Sequence, residues 1–449
     1  MEVRKAQVEI ILVGMVLSLL LIGVVFLKLP FFILSLSILV LSLIIITIIN
    51  TDLALIILIF SMLLSPEIKL IEVPARAVVV RIDDILLIVV FFSWLAKTAI
   101  NKGLGLFRKS PLNPLIGLYI GVCIISTGIG IWRAEVSPLK SFFYLLKYIE
   151  YFMLYFMVFN NIHSKKQIKI FIFCFFITCM ITNSYALLTV SKMERATAPF
   201  EGVKGEPNTL GGYLIVLFAL SMSLFLYSSS KSWKIFSGLL LPFIFVTMLL
   251  TYSRSTYLAF VFMYLTLILF ARKGKILIIG SLILLIVILP LILPKIITGV
   301  ARRIEYTFSR GIEYKAFGKR IAIEASAASR IESWKKIFNK LKVRPFLGYG
   351  VTGVGLVDTQ YPRILGETGI VGFLIFIWLL MRIFRQGIYA FNYVKDSWEK
   401  GLVLGFLAGF VGLIIHSLGA NTFIIVRIME PFWFLNAVVT SLPDLNKVS

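Results

Sequence analysis

The chain has 449 residues, of which 59% are hydrophobic and only 15% are charged, and its mean hydropathy is +0.97. A soluble domain averages about 45–50% apolar and about 25% charged residues, so this composition excludes a soluble globular protein. It indicates a membrane protein. Because a transmembrane helix needs about 20 residues, roughly 14 such helices would leave roughly 170 residues for loops and termini.

The few cysteines and histidines exclude several kinds of site. Cys123, Cys174 and Cys179 all lie inside apolar runs, and they match neither a paired extracellular framework nor the spacing of a zinc site. The chain has two histidines, His163 and His416, which are too few for a histidine-based metal site. We therefore expect no disulfide, no metal and no cofactor.

Apolar runs predict about 14 transmembrane helices in an all-α polytopic fold. They lie at residues 8–27, 30–49, 51–65, 84–100, 114–131, 141–161, 168–190, 209–228, 235–251, 255–271, 276–293, 364–383, 401–417 and 422–440. The run 51–65 is short, and the loop from Pro66 to Asp84 is interpreted as a re-entrant or interfacial segment. Residues 8–27 follow a short basic start but precede no cleavage site, so we expect a retained helix.

Lysines and arginines are distributed unevenly between the two sides of these predicted helices. They are concentrated in the connections on the side of the N-terminus, near residues 97–109, 165–169, 231–234, 272–275 and 382–400. Positive charge in short loops marks the cytoplasmic side of a membrane protein. We therefore expect both termini to be cytoplasmic.

A long outward loop, residues 295–363, separates helices 1–11 (residues 1–294) from helices 12–14 (residues 364–449). It contains fourteen lysines and arginines against five acidic residues, a net charge of +9. Long loops cross the membrane largely regardless of charge. The charge predicts an anionic partner, either lipid phosphates or a phosphate-bearing substrate, and simple solvation of the loop is the alternative. Nucleic acid is not expected on the outer face.

Two helices are predicted inside this loop. Apolar residues repeat every four positions over 300–308, which is typical of a helix lying along the membrane surface. A second helix, about 319–341, has an apolar face that begins at Trp334. Arg330 lies four residues before Trp334 and therefore projects from that apolar side. An arginine on a buried face needs a partner, which is either an anionic ligand or a structural carboxylate.

Arg254 lies in the sequence TYSRS, residues 251–255, between two apolar runs. The short connection predicts a tight helical hairpin at the outer membrane face. An ionisable residue at the edge of the hydrocarbon costs about 2.5–3.5 kcal/mol on insertion scales and usually faces an interior cavity. Arg254 is therefore a candidate functional residue, and snorkelling to the interface is the alternative.

The outward loop 195–213 leads into the next predicted helix. Asn208 or Thr209 is placed to cap that helix, whose N-terminal N–H groups can bind an anion. Arg195 and Asn208 are candidate substrate-binding residues. Plain capping is the alternative reading of Thr209.

Residues 348–353 match the dinucleotide pattern G-x-G-x-x-G, but they lie in an external loop and not in a strand–turn–helix unit. We interpret them as a turn that positions the segment after it. That segment, 358–372, carries polar side chains into the next helix.

Five motifs in this chain resemble the O-antigen ligase / O-antigen polymerase family of bacterial polytopic membrane glycosyltransferases. They are APFEGVKGEPNTLGGY, TYSRS, SRIESWKKI, RPFLGYGVTGVG and ILGETGIVG, all on one face of the membrane. The resemblance implies a GT-C-like helical fold whose external loop caps a cavity. It also implies a polyprenyl-diphosphate-linked oligosaccharide as donor, an acceptor glycan, contact with membrane lipids, and glycan transfer without a metal.

By position, Arg254 and Arg330 resemble the arginines that are thought to hold the donor diphosphate in this family. Ligases of the family typically carry a histidine shortly before the E-x-G-[IL]-[IVL]-G segment, where this chain has residues 358–361, Asp-Thr-Gln-Tyr. This departure favours a polymerase of polysaccharide repeat units, or another transferase of polysaccharide chains. The alternative is a ligase that transfers finished glycan to a lipid or protein acceptor.

Asp358 is the candidate catalytic group on the acceptor side, where it would accept a proton from the acceptor hydroxyl or orient it. Pairing with Arg363, or capping of the helix that begins near Pro362, is the alternative. The predicted substrate-binding set is completed by Tyr361, Arg363, Glu367 and His416.

A flippase for lipid-linked oligosaccharides, or another transporter, is the alternative from a different class. Transporters often have repeated halves and place their charges near the bilayer midplane. This sequence has no convincing internal repeat, and its notable charges lie at one outer face. We therefore expect a glycosyltransferase of polysaccharide or lipopolysaccharide biosynthesis in the bacterial cytoplasmic (inner) membrane.

Overall fold

The computed structural model describes residues 31–71, 78–100, 108–201, 205–309, 312–316 and 319–448. The predicted helix 8–27 lies outside these residues. The described part forms fifteen α-helices, a 3₁₀-helix and two short β-hairpins: α1 (Phe31–Ile49), α2 (Thr51–Leu64), β1 (Glu67–Ile71), β2 (Val78–Arg81), α3 (Ile82–Ile100), α4 (Asn113–Trp132), α5 (Pro138–Asn161), α6 (Lys165–Met193), α7 (Pro207–Tyr227), α8 (Lys231–Leu250), α9 (Arg254–Phe270), α10 (Lys275–Ile292), α11 (Pro294–Ser309), β3 (Ile312–Ala316), β4 (Lys319–Ile323), α12 (Ala325–Val343), α13 (Gln360–Tyr393), α14 (Ser397–His416), the 3₁₀-helix (Thr422–Ile424) and α15 (Val426–Val448).

The helical membrane fold predicted from the sequence is confirmed. In the described part of the chain, seven helices are long and apolar enough to cross a membrane, namely α4 to α8, α13 and α14, and shorter apolar helices lie in α1, α2, α9 and α10. Each predicted apolar run from 30–49 to 422–440 coincides with a described helix. The protein is therefore an all-helical polytopic membrane protein, apart from two small hairpins in its connections.

The structure changes the picture of two connecting segments. Glu67–Ile71 and Val78–Arg81 form the antiparallel hairpin β1–β2, and α3 already starts at Ile82, so Asp84 belongs to that helix. A re-entrant or interfacial position of this hairpin stays a prediction. The second loop helix, predicted over 319–341, begins only at Ala325, because residues 319–323 form β4 and pair with β3. Both hairpins contain β-branched residues, which favour extended backbone, and their strands are too short to show a clear period.

Helices α7 and α14 pack closely at the centre of the bundle. A Cβ atom on Gly405 of α14 would lie only 2.7 Å from the Cα atom of Leu220 in α7. Small residues let helix backbones approach, and such packing drives helix association in lipid, where burial of apolar surface gives little gain. The close approach continues to the ends of the two helices near Gly212 and His416, which we call the outer ends after the predicted orientation. There a Cβ atom on Gly212 would lie 3.4 Å from the His416 ring.

The last part of the external loop docks onto α13. Gly369 interrupts this helix with φ 67° and ψ −168°. The amide of Tyr349 donates a hydrogen bond to the carbonyl of Gly366 at 3.0 Å, and the amide of Ile370 donates to the carbonyl of Pro345 at 2.8 Å. The glycine-rich run of the loop is therefore held by backbone hydrogen bonds to the broken helix.

The apolar face predicted for α12 is buried against this docked segment. Ile337 is fully buried and packs with Val354, Val357 and Leu365 in a small core of its own. Trp334 stacks on Phe338 with ring centroids 5.6 Å apart. This packing holds α12 over the outer end of the bundle. Arg330, on the same side of the helix, lies within range of the charges of Arg254 in α9 and Arg303 in α11.

Candidate active site

Arg254 is the first residue of α9 and lies at the outer end of the bundle. Because α8 ends at Leu250, only residues 251–253 connect the two helices, so the predicted tight hairpin is confirmed. The hydroxyl of Ser253 accepts a hydrogen bond from the Thr256 amide at 3.3 Å and donates to Asn208 Oδ1 at 2.7 Å. These bonds fix the turn from which the Arg254 side chain projects.

Asn208 holds this turn and does not cap its own helix. Helix α7 begins at Pro207, with Glu206 at the N-cap position and no capping bond from a side chain. The prediction that Asn208 or Thr209 caps the helix is therefore wrong. Proline is favoured in the first helical turn because its φ angle is already helical, and Pro207 starts the helix before Asn208.

Arg195 supports the same turn from the preceding loop. Its Nε atom donates to the Thr251 carbonyl at 2.9 Å, and its Nη2 atom donates to the Tyr252 carbonyl at 3.2 Å. Burial and the nearby charge of Arg303 hold the pKa of the Arg195 guanidinium below its usual value. Arg195 therefore positions the hairpin and adds positive charge beside it.

The carboxylate of Glu324, which lies between β4 and α12, pairs with two arginines, and its charge acts on a third. Arg254 forms an ion pair with Glu324 Oε2, and Arg303 Nη1 lies 3.4 Å from Glu324 Oε1. The charges of Arg254 and Glu324 both act on Arg330. We call Arg254, Arg303, Arg330 and Glu324 the arginine cluster. Its three arginines and one glutamate carry a net charge of +2.

Arg330 has unused hydrogen-bonding capacity in this cluster. It is half-buried, and its Nε atom has no acceptor in the described part of the chain. Burial, followed by the charge of Arg254, holds the pKa of the Arg330 guanidinium below its usual value. A guanidinium has five N–H donors, and the Nε–H of Arg330 can donate to an added anion without giving up an existing hydrogen bond.

Asp358 lies beside the cluster, just before α13. It is exposed, and its charge acts on Arg330. Helix α13 has Thr359 at its N-cap position and no capping bond from a side chain. Arg363 pairs with Glu367. Neither alternative predicted for Asp358, helix capping or pairing with Arg363, is therefore present.

His416 is fully buried at the end of α14, next to the start of α9. Its Nδ1 atom lies 2.8 Å from Thr422 Oγ1, and its Nε2 atom lies 3.4 Å from Thr256 Oγ1. The charge of Arg330 acts on this imidazole. The structure thus brings His416 close to the cluster, although the two are separated by 86 positions in the sequence.

Arg363 and Glu367 form a buried ion pair within α13. Arg363 Nε lies 3.1 Å from Glu367 Oε1, which also accepts a hydrogen bond from the Thr352 amide at 2.9 Å. The Arg363 guanidinium lies 5.4 Å from the centroid of the Tyr144 ring. These contacts hold the docked loop on the bundle. Substrate contact by Arg363 or Glu367 stays a prediction.

Tyr361 also makes a structural contact at the start of α13. Its hydroxyl donates a hydrogen bond to the Ile414 carbonyl at 2.7 Å, near the end of α14. This bond ties α13 to the helix that carries His416. Tyr361 is half-buried, and substrate contact by its ring stays a prediction.

Arg427 is a further arginine that the sequence analysis did not identify. It donates hydrogen bonds to four backbone carbonyls at the outer side of the bundle, two of them at Pro199 (2.6 Å) and Phe200 (2.9 Å) in the loop before α7. Burial raises the pKa of the adjacent Glu201 carboxyl to about 8. Arg427 therefore fixes the loop that carries Arg195.

The chemistry of the arginine cluster fits an anion with several oxygen atoms. Guanidinium groups bind phosphate and carboxylate oxygens in pairs of parallel hydrogen bonds, and such charge-assisted bonds are roughly twice as strong as neutral ones. Within the described ranges, no three or more His, Cys, Asp and Glu side chains are grouped to hold a metal. The three guanidinium groups therefore suit a ligand that carries an oxyanion, such as a phosphate or a carboxylate.

Part of the chain matches a described protein family. Residues 239–377 match the family model described as O-Antigen ligase. The match includes the TYSRS hairpin, the arginine cluster and the broken part of α13. No curated protein matches the chain. The family resemblance predicted from the motifs is therefore confirmed over residues 239–377.

Proposed function

We propose that this chain is a membrane glycosyltransferase that transfers a glycan from polyprenyl diphosphate to the hydroxyl of an acceptor sugar, and that it polymerises polysaccharide repeat units. The observation that carries the proposal is the arginine cluster at the outer end of the bundle. The lipid tail of such a donor stays in the bilayer, so its diphosphate has to be bound at the interface. Arg254, at the start of α9, meets that requirement.

The proposed reaction breaks one bond and forms one. The bond between the anomeric carbon and the diphosphate oxygen breaks, and its electron pair leaves with the diphosphate. The acceptor oxygen bonds to the same carbon, and the hydroxyl proton passes to a base or to water. Fixed guanidinium groups stabilise the charge that develops on the leaving group. Arg254 and Arg330 take this role, and Arg303 adds to it.

Glu324 competes with the proposed donor for Arg254. Its carboxylate forms an ion pair with the same guanidinium that would bind the diphosphate. An unpaired charge in a half-buried site is costly, so Glu324 stabilises the cluster when no donor is bound. Donor binding then exchanges a carboxylate for a diphosphate at Arg254. The exchange needs no change in the backbone of α9.

On the acceptor side we propose that Asp358 orients the incoming hydroxyl, with His416 as the second candidate. A carboxylate is a weak base, so its main contribution is an oriented hydrogen bond and not complete proton removal. The support is the position of Asp358, exposed and within range of the charge of Arg330. It thus borders the cluster without being neutralised by Arg363.

Asp358→Asn keeps the shape of the side chain and removes its charge. We expect glycan transfer to fall about 100-fold, while donor binding and thermal stability stay unchanged, because the carboxylate acts on the acceptor. Parallel assays of transfer, donor binding and melting would separate these effects. Full transfer by the variant would contradict the proposal and would direct the search for this group to His416 or Glu367.

Polymerase and ligase differ in what accumulates when the protein is absent. The polymerase proposal rests on residues 358–361, Asp-Thr-Gln-Tyr, where ligases of the family carry a histidine. The description of the matching family favours the ligase as a second candidate. Chemical analysis of the carrier-linked glycan in cells lacking the protein tests both. Single repeat units are expected for a polymerase, and finished polymer left on its carrier would indicate a ligase.

We propose that the chain lies in the bacterial cytoplasmic (inner) membrane, with both termini cytoplasmic and the arginine cluster outside. Single cysteines in place of exposed Lys234 and Lys336 would test this in intact cells with a membrane-impermeant thiol reagent. The native cysteines are buried, so they should add little background. We expect labelling at position 336 and none at position 234. The opposite pattern would refute the orientation.

A further inference from the structure

A groove lies at the opposite end of the bundle from the arginine cluster, between the first turns of α6 and α8. Its volume is about 530 Å³, which is in the usual range for small-molecule sites. It is lined by Lys166, Lys169, Ile170, Phe173, Ser232, Trp233 and Phe236. The surface of the groove is almost entirely apolar. We call the exposed lysines at its edge, Lys166 and Lys169, the basic rim, and the apolar side chains the apolar wall.

The apolar part of the groove faces outward from the helix bundle. Ile170 and Phe173 are 43% and 47% exposed, although they belong to a helix apolar enough to cross a membrane. Phe173 packs against Phe236 with ring centroids 5.4 Å apart. Exposed apolar side chains on such a helix are in contact with lipid. The groove thus opens to the acyl chains of the membrane.

The charged part of the groove has an excess of lysines. The first turns of both α6 and α8 lack acidic residues, and each carries lysines instead. Lys165 is neutralised by Glu399 at 2.8 Å. In the described part of the chain, Lys166 and Lys234 form no such ion pair with a carboxylate. Positive charge at the N-terminus of a helix is unfavourable unless an anion is close.

Trp233 sits where the basic rim meets the apolar wall. Its ring centroid lies 5.3 Å from that of Trp398, and the ammonium of Lys169 lies 5.5 Å from the centroid of the Trp398 ring. Tryptophan side chains are enriched at the level of lipid headgroups, where one edge of the ring is polar and the rest is apolar. Lys166 and Lys169 are therefore at the depth of a lipid phosphate.

We propose that this groove binds one anionic phospholipid, with its phosphate between Lys166 and Lys169 and an acyl chain along Ile170 and Phe173. The choice of occupant follows from charge complementarity, because the local excess of lysines favours a lipid with net negative charge over a zwitterionic one. The proposal goes beyond the proposed function and uses none of the residues of the arginine cluster. It would stand even if the donor were not a polyprenyl diphosphate.

The test uses the full chain in detergent micelles, titrated with phospholipids that carry bromine on their acyl chains. Bromine quenches tryptophan fluorescence on contact, and Trp233 lines the groove. We expect brominated phosphatidylglycerol to quench at lower concentration than brominated phosphatidylcholine. The Lys166→Ala/Lys169→Ala double variant should lose about tenfold in apparent affinity for phosphatidylglycerol. The difference between the two lipids should also shrink at high salt.

Lys273→Ala/Lys275→Ala is the matched control, because these two lysines are exposed at the same end of the bundle, at the start of α10. Its affinity for phosphatidylglycerol should equal that of the unaltered chain. All four lysines are exposed, so the variants should melt like the unaltered chain. Equal quenching by the two lipids would overturn the proposal. Equal losses of affinity for phosphatidylglycerol in the two double variants, or no loss in either, would also overturn it.

Discussion

Glycan transfer by the Arg254→Ala variant is expected to fall about 100- to 1,000-fold. This is the usual cost of removing a preorganised hydrogen-bonding group that stabilises charge on a leaving group. Arg254 lies at the start of α9, where the Ser253 and Asn208 side chains fix its turn. Its guanidinium is already directed at an anion, the carboxylate of Glu324. Arg330→Ala should have a similar effect, since the Nε donor of Arg330 has no acceptor in the described part of the chain.

Arg254→Lys separates geometry from charge. A lysine keeps the positive charge and can keep an ion pair with Glu324, but it cannot form two parallel hydrogen bonds to a phosphate. We therefore expect this variant to fold normally and still lose most of its transfer activity. Transfer, donor binding and melting temperature should be measured for each variant, so that loss of structure is not mistaken for loss of function.

Lys336→Ala is the control on the same helix as Arg330. Lys336 is exposed and lies on a different face of α12 from the apolar side that carries Arg330. Its removal should leave transfer within about twofold of the unaltered chain, as for most exposed surface positions. Equal losses in the Lys336, Arg254 and Arg330 variants would contradict a specific clamp and would indicate a diffuse basic surface.

Gly369→Ala should destabilise the protein more than any other small substitution in α13. The backbone at Gly369 has φ 67° and ψ −168°, a region that residues other than glycine avoid. A Cβ atom there would lie 2.2 Å from the Phe346 carbonyl oxygen. Strain and overlap together should lower the free energy of unfolding by about 4 kcal/mol or more. A melting curve in detergent would measure the loss.

Gly121→Ala is the matched control for that substitution. Gly121 lies within α4, and a Cβ atom there would meet no atom within 4 Å. Alanine is the better helix former by about 1 kcal/mol, so this variant should melt at or above the temperature of the unaltered chain. Similar melting temperatures for the Gly369 and Gly121 variants would contradict the close docking of the loop on α13.

The position of both proposed clamp arginines could be predicted from the sequence. Hydrophobic periodicity shows which side of a helix is buried, and it placed Arg330 on the inward face of α12. The short polar interruption between two apolar runs placed Arg254 in a tight turn at the membrane edge. Neither inference needed the tertiary structure. The binding of a diphosphate by these arginines stays a prediction.

Glu324 and Arg303 could not be identified in this way. The pair formed by Arg254 and Glu324 joins residues 70 positions apart and depends on how the external loop docks over the bundle. Local sequence patterns carry no information about such docking. The start of α12 was misplaced for a related reason, because the five residues of β4 are too few to show a strand period.

Arg363 and Glu367 had a local signal that indicates their contact. Opposite charges four residues apart on a helix are neighbours on its surface, and the structure shows this pair. Their position beside the ILGETGIVG motif had suggested substrate binding. The Thr352 amide and the Tyr144 ring, which complete the contact, come from other parts of the chain and have no such signal.

The most direct test of the central proposal is to supply the purified chain, in liposomes, with a polyprenyl-diphosphate-linked oligosaccharide repeat unit and to analyse the glycan and the released lipid together. The proposal predicts glycans of two or more repeat units that remain on a carrier, with one polyprenyl diphosphate released for each new glycosidic bond. Arg254→Ala should abolish both products. Movement of the labelled donor across the liposome membrane, with no extension and no release of polyprenyl diphosphate, would contradict the proposal and would indicate a flippase.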